Sequence, residues 1–275
     1  MAEQVMSFTE HLEELRKRLK LAVYAVFACM VVAYIFSDFL FALMSQPLIR
    51  AWHEAGLGRP ELHFANPIEP FFTFLKLSLV VGLFAASPIV FYQLWRFVAP
   101  GLYAKEKRYA LPFALASGIF FTGGAAFGYF MVFPYGFEFF LSYARSNMGV
   151  MQDLAGQAVQ VSVEHTFKLS PTLMIGEVFG LTTRLLLAFG IVFELPLLVF
   201  FLAMAGLVTY RTLWRFNRYF VVLSFVMGAM LTPPDVITQL FMATPLLILY
   251  NLSILLSWIF FRKRHQAIDA AKGDS

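Results

Sequence analysis

Six apolar runs dominate this chain, near residues 21–43, 69–97, 109–133, 170–205, 216–232 and 236–261. A bilayer core is about 30 Å thick, and about 20 apolar helical residues cross it. In hydrocarbon each backbone N–H and C=O must find its partner inside the protein, so runs of this kind become helices. The runs predict an all-α integral membrane protein, with residues 1–275 forming a single domain of six transmembrane helices. Composition excludes a soluble enzyme: 60% of the 275 residues are hydrophobic, only 14% are charged, and 33 are Phe. The first run reads as a retained helix and not a signal peptide, because the segment before it is partly acidic and helix-patterned.

The basic residues set an orientation. Arg16, Lys17, Arg18, Lys20, Arg96, Lys105, Lys107, Arg108, Arg211, Arg215, Arg218, Arg262, Lys263, Arg264 and Lys272 fall on one set of segments. The opposite set holds Arg50, Arg59, Arg145 and Lys168. The positive-inside rule then places both termini, and the loops around 98–108 and 206–215, in the cytoplasm.

Run lengths are uneven. Fourteen residues separate Arg218 from Pro233, only roughly 21 Å of helix, so the fifth span is expected to be too short for an ordinary bilayer. The fourth run, at roughly 54 Å, must tilt, bend at Pro196 or begin outside the membrane. Pro70, Pro112 and Pro171 fall in first turns, where a missing N–H is harmless. Pro88, Pro196 and Pro245 fall inside spans and predict kinks. The aromatic stretch 133–140 predicts a turn and a short amphipathic helix forming an interfacial cap. Residues 144–163 read as a polar outer loop, and 265–275 as a disordered cytoplasmic tail. No internal repeat of the secondary-transporter kind is visible.

Catalytic chemistry is scarce. None of His11, His53, His63, His165 and His265 lies in a predicted span, which argues against an intramembrane zinc or Ser–His protease and against haem. No phosphate-binding G-x-x-x-x-G-K-[ST] motif occurs. Cys29 is the only cysteine and reads as packing. The pairs Ala114/Gly118 and Gly124/Gly128 read as helix-packing positions. No enzyme activity, cofactor, metal or nucleic-acid partner is expected.

The acids are what topology leaves unexplained. Ser7-Phe-Thr-Glu10 has the form of a capping box, so a helix is expected from near Ser7. Its apolar stripe, Phe8, Leu12, Leu15 and Leu19, suits the membrane interface. Glu14 stands four residues before Arg18 and Glu13 four before Lys17, a spacing for local salt bridges or for capture of an outside cation. Glu106, flanked by Lys105, Lys107 and Arg108, repeats the arrangement on the same face. Glu194 lies deep in the fourth run, where an ionisable group signals function or a satisfied interhelical bond. Glu177 and Arg184, two turns apart on one face, read as an outer polar network. Leu231-Thr-Pro-Pro-Asp235 is a tight turn in which Asp235 can cap the next helix. Thr232 and Gln239 put hydrogen-bonding groups beside apolar surface, where a partner helix could use them.

Together, His11-Leu-Glu-Glu-Leu-Arg-Lys-Arg-Leu19, Ala99-Pro-Gly-Leu-Tyr-Ala-Lys-Glu106, Phe133-Pro-Tyr-Gly136, Phe193-Glu-Leu-Pro196 and Leu231-Thr-Pro-Pro-Asp235 with Gln239 resemble the TatC family. That family supplies the receptor and core subunit of the twin-arginine protein translocase. The motifs span nearly the whole chain in the family's order; Glu13 and a longer polar outer loop and tail are departures. The resemblance implies that Glu14 and Glu106 bind the paired arginines of a signal peptide, with Arg16, Arg18 and Phe97 shaping the site. It implies a glove-like concave bundle with short helices 5 and 6, a structured outer cap, and Glu194 on the concave side. Pro47 matches a family proline in the first outer loop, and Pro134 and Asp235 belong to matched loop motifs. Implied partners are the single-span TatA and TatB, docking near Thr232 and Gln239, within a complex holding several copies of this chain. Implied transport is of folded proteins across the bacterial inner membrane, driven by the proton-motive force. The rival reading is a proton-coupled small-solute transporter or channel, with Glu194 and Arg184 lining its path.

Overall fold

The computed structural model describes residues 8–56, 59–98, 110–141, 172–231 and 236–273, without the side chains of 8, 98, 110, 231, 237, 238, 241 and 261–273. Helix α1, Phe8–Ile35, carries the charged segment and the first apolar run as one rod. The run does not continue to residue 43 as expected. The α1 helix stops at Ile35, Phe36 leaves helical geometry (φ −100°, ψ 20°), and α2 begins anew over Ser37–Glu54. Ser37 and Asp38 follow the break, and polar residues of this kind favour helix starts. Pro47 therefore lies inside α2, buried, and not in a loop as expected.

Helix α3, Glu69–Val98, matches the second run and contains Pro88. Helix α4, Ala110–Phe127, passes into a π-helical turn, Gly128–Val132, and then into helix α5 over residues 133–141. The expected turn at Phe133–Pro134 is absent. The Phe133 N–H donates to the Gly128 carbonyl, five residues back. That wider turn lets Pro134, which has no N–H to give, enter a continuous helix.

The fourth run divides. Strand β2, Leu173–Met174, leads into α6, Ile175–Phe193; the helix breaks at Glu194 and resumes as α7, Leu195–Met204, with Pro196 in its first turn. Of the bends expected for this run, the break beside Pro196 is present. Helices α8, Tyr210–Leu231, and α9, Val236–Gly273, form the last hairpin. Neither helix is short, against expectation. Both outlast their apolar stretches: Arg211, Arg215 and Arg218 occupy the start of α8. The α9 helix continues to Gly273 through residues expected to be disordered, where Ala, Lys, Arg and Gln favour helix. Among the described residues five helices are long and apolar enough to cross a membrane: Thr9–Ile35, Glu69–Phe97, Leu111–Leu141, Ile175–Met204 and Met242–Phe260. The α8 helix is not one of them.

Packing runs α1 to α3 to α4 to α6, with α9 joining α7 and α8. Glycines permit the closest approaches. A Cβ on Gly82 would lie 2.6 Å from the Met30 backbone N, so α1 and α3 touch backbone to backbone. A Cβ on Gly124 would collide with the Phe189 carbonyl, and one on Gly128 with the Phe189 ring. The small residues of α4 are therefore packing positions, as the sequence implies. Phe189, Leu185, Leu186, Tyr129 and Met242 form one core, and Leu246, Tyr250, Phe220 and Val199 a second. Several hydroxyls buried in the bundle are satisfied by their own helices: Ser78 donates to the Phe74 carbonyl at 2.8 Å and Thr183 to Phe179 at 2.7 Å.

At one end α2, α5 and a two-stranded parallel ribbon form a cap. Strand β1, Leu62–His63, pairs with β2 in the register Leu62–Leu173 and His63–Met174. Trp52, Ala51 and Leu141 are buried there. Glu69 anchors the ribbon. Its Oε2 accepts the Ala65 N–H and its Oε1 the Gly176 N–H, each at 2.8 Å. A carboxylate at the first turn of α6 also complements the helix dipole.

Candidate functional site

Glu14 lies on the first turns of α1, far from the cap. Arg18 is one turn on and donates to Glu14 Oε1 through Nε at 2.9 Å and through Nη2. The local salt bridge therefore forms. It leaves Glu14 Oε2 shut off from solvent, with no hydrogen-bond partner among the described residues. The two side chains are only 15% (Arg18) and 19% (Glu14) exposed. Glu13 and Arg16 are exposed, and Glu13 makes no salt bridge with Lys17 among the described residues. Burial thus separates Glu14 from its neighbour.

The wall beside Glu14 comes from α3. The His11 imidazole stacks on the Phe97 ring with centroids 4.4 Å apart and planes 17° from parallel. This contact joins the start of α1 to the end of α3 and puts Phe97 beside the Glu14 segment. Arg96 and Tyr92 bond one turn earlier at 3.3 Å. Sequence reasoning assigned His11 no role; its place at the head of the charged motif was the available signal. Glu106, Thr232 and Asp235 lie outside the described residues.

Glu194 sits at the α6–α7 break, half-buried, facing the Ser117 hydroxyl and the Phe121 backbone of α4. Its Oε1 is closed to solvent and lacks a hydrogen-bond partner among the described residues. Ser117 accepts the Trp95 Nε1–H at 2.9 Å, and Trp95 packs against Phe113 and Phe201. The carboxyl is therefore placed by α4 without being fully satisfied by it. Next to it Phe193, Phe127, Val132, Leu240, Thr244 and Pro245 line an apolar groove of about 480 Å³ between the π turn and α9. Gln239, one residue before this groove, donates to the Phe225 carbonyl at 2.8 Å. One of its two amide N–H groups is thus used within the α8–α9 hairpin. Arg184 is exposed on α6, away from the groups around Glu194, so the two do not share a lining as the solute-path reading requires.

The fold and these sites define a multi-pass helical membrane protein with one carboxylate near the start of its first helix and another at a break within an apolar span. The sequence profile of the family described as Sec-independent protein translocase protein (TatC) matches residues 10–245. The TatC protein of Desulforapulum autotrophicum is 41% identical over 99% of this chain and 92% of the relative. That of Aquifex aeolicus is 38% identical over 95% of this chain and 98% of the relative. A crystal structure of the twin-arginine translocase receptor TatC in DDM superposes with a TM-score of 0.72, at 36% identity, over 90% of this chain and 99% of that one. The class is a protein-transport component, a Sec-independent translocase subunit. This chain belongs to the TatC family.

Proposed function

We propose that this chain is the receptor and core subunit of a twin-arginine translocase, which binds paired-arginine signal peptides and moves folded proteins across the bacterial cytoplasmic membrane, driven by the proton-motive force. Family membership and the crystal structure of a twin-arginine translocase receptor with the same fold support the reading. The observation that carries peptide binding is Glu14, with one oxygen held by Arg18 and the other buried without a donor among the described residues. A guanidinium from outside offers the planar pair of N–H groups such an oxygen lacks, and lysine does not reproduce that fork. Glu106 supplies the second carboxylate, while Arg16, Arg18 and Phe97 shape the pocket. The affinity is modest, because Arg18 already competes for Glu14.

Both termini face the cytoplasm, as the basic residues favour. The α8 helix is the fifth of six spans, its arginine-bearing start at the cytoplasmic surface and the bilayer thinned around its short apolar part. The bundle is glove-like, with Glu194 on its concave side as a polar contact for the signal peptide or a partner helix. Single-span TatA and TatB dock along α8 and α9 near Thr232 and Gln239, in a complex with several copies of this chain. The apolar groove beside Gln239 favours such a helix. Asp235 shapes the turn between α8 and α9, while Pro47 and Pro134 act within the helices of the cap. The test is photocrosslinking from residue 14 or 106 to a signal peptide. Strong crosslinking of an Arg-Arg peptide and weak crosslinking of a Lys-Lys peptide is expected; equal crosslinking of the two would sink the reading.

A further inference from the structure

Two cations converge on the exposed surface of the bundle and remain unused by the reading above. Lys76 lies two turns into α3, and Arg184 lies between the second and third turns of α6, roughly 10 and 14 Å from the cap ends of these helices. A Cβ placed on Gly180 would lie 3.7 Å from Lys76 Nζ and 3.9 Å from Arg184 Nη2. The two charges are therefore within about 8 Å of each other, close enough to repel unless an anion is shared between them. Both side chains are exposed, and neither makes a salt bridge among the described residues. Gly180, with no side chain, leaves room between them. Around this place the surface is apolar, with Phe71, Phe72 and Leu79 all exposed. Long cationic side chains at this depth reach toward the headgroup layer while their stems stay in hydrocarbon.

Glu177 complicates a purely anionic ligand. It is exposed, in the first turn of α6, on the face that carries Gly180 and Arg184 and nearer the cap. The order along the membrane normal is cations below and a carboxylate above. A zwitterionic headgroup has the complementary order, with its phosphate at the glycerol level and its ammonium farther out.

We propose that Lys76 and Arg184 hold the phosphate of a phospholipid in the cap-side leaflet, with Glu177 receiving the primary ammonium of an ethanolamine headgroup. The leaflet rests on the orientation proposed above; the site itself does not. Neither cation is buried, so Lys76→Gln/Arg184→Gln keeps the fold, which thermal unfolding checks. Native mass spectrometry of the purified full chain, titrated with phosphatidylethanolamine or phosphatidylglycerol, reads binding without regard to orientation. The wild type should retain phosphatidylethanolamine in preference to phosphatidylglycerol. The double variant should retain about tenfold less of it, and Glu177→Gln should abolish the preference. Undiminished retention by the double variant would overturn the site. Equal retention of both lipids by the wild type would overturn the headgroup assignment, and displacement of the lipid by millimolar inorganic phosphate would make this a free-anion site. Labelling of Glu54→Cys in a Cys29→Ala background by an impermeant maleimide from outside the cell tests the orientation separately. Its failure would move the lipid to the other leaflet and leave the binding result standing.

Discussion

Replacing Glu14 by glutamine removes one charge and almost no volume. In the resting protein Arg18 holds Oε1, and Oε2 is closed to water with no donor to it among the described residues. A charge-assisted bond from an incoming guanidinium to that oxygen contributes about 1.5–3 kcal/mol. Glutamine keeps an amide oxygen at this place, and a neutral hydrogen bond to it still contributes about 1 kcal/mol. The difference, about 0.5–2 kcal/mol, corresponds to a roughly 2- to 30-fold weaker Kd for Glu14→Gln. The assay is fluorescence anisotropy of a labelled Arg-Arg peptide titrated with the protein in nanodiscs, beside a Lys-Lys peptide. Glu13→Gln is the control, since Glu13 is exposed and makes no salt bridge among the described residues. In Glu14→Gln the gap between the two peptides should narrow. An unchanged Kd for Glu14→Gln, or an equal loss in Glu13→Gln, would refute the reasoning.

Three further outcomes are expected. Gly82→Val drives a side chain into the Met30 backbone and should cost about 1–3 kcal/mol, read as a lower Tm, whereas Gly123→Ala, with nothing within 4 Å of its Cβ, should leave Tm in place. Glu194→Leu removes an oxygen without a described partner, so Tm should hold or rise while transport of a folded twin-arginine substrate falls; unchanged transport and unchanged partner crosslinking would make Glu194 structural. Glu69→Gln weakens the bonds to Ala65 and Gly176 by about 1–2 kcal/mol, and hydrogen exchange should quicken at residues 62–69 and 173–176 before the rest of the bundle.

The helical character, the positions of most spans and the family motifs could be read directly from the chain. A bilayer is a field along one axis, and hydropathy and basic residues report position along that axis residue by residue. Proline was legible only in part. Pro70 falls in the first turn expected of it and Pro196 beside the expected bend, but Pro47 and Pro134 lie within helices. The π turn at Gly128–Val132 that admits Pro134 has no simple signature in residue type. The break at Phe36 was hidden because apolar residues continue on both sides of it.

Sequence alone determined that this chain is a helical membrane protein, and placed Glu14 in a basic segment at the start of the first helix. It left open whether Glu14 was a salt-bridge partner or a site. The structure pairs Glu14 with Arg18 through Oε1, while burial closes Oε2 to solvent with no hydrogen-bond partner among the described residues. Tertiary structure also brought His11 to Phe97, Glu69 to Gly176 and Lys76 to Arg184. Each of these pairs joins two helices distant in the chain. Their meeting depends on which helices are neighbours and on glycines that let backbones touch, and neither property is written in the period of a single run.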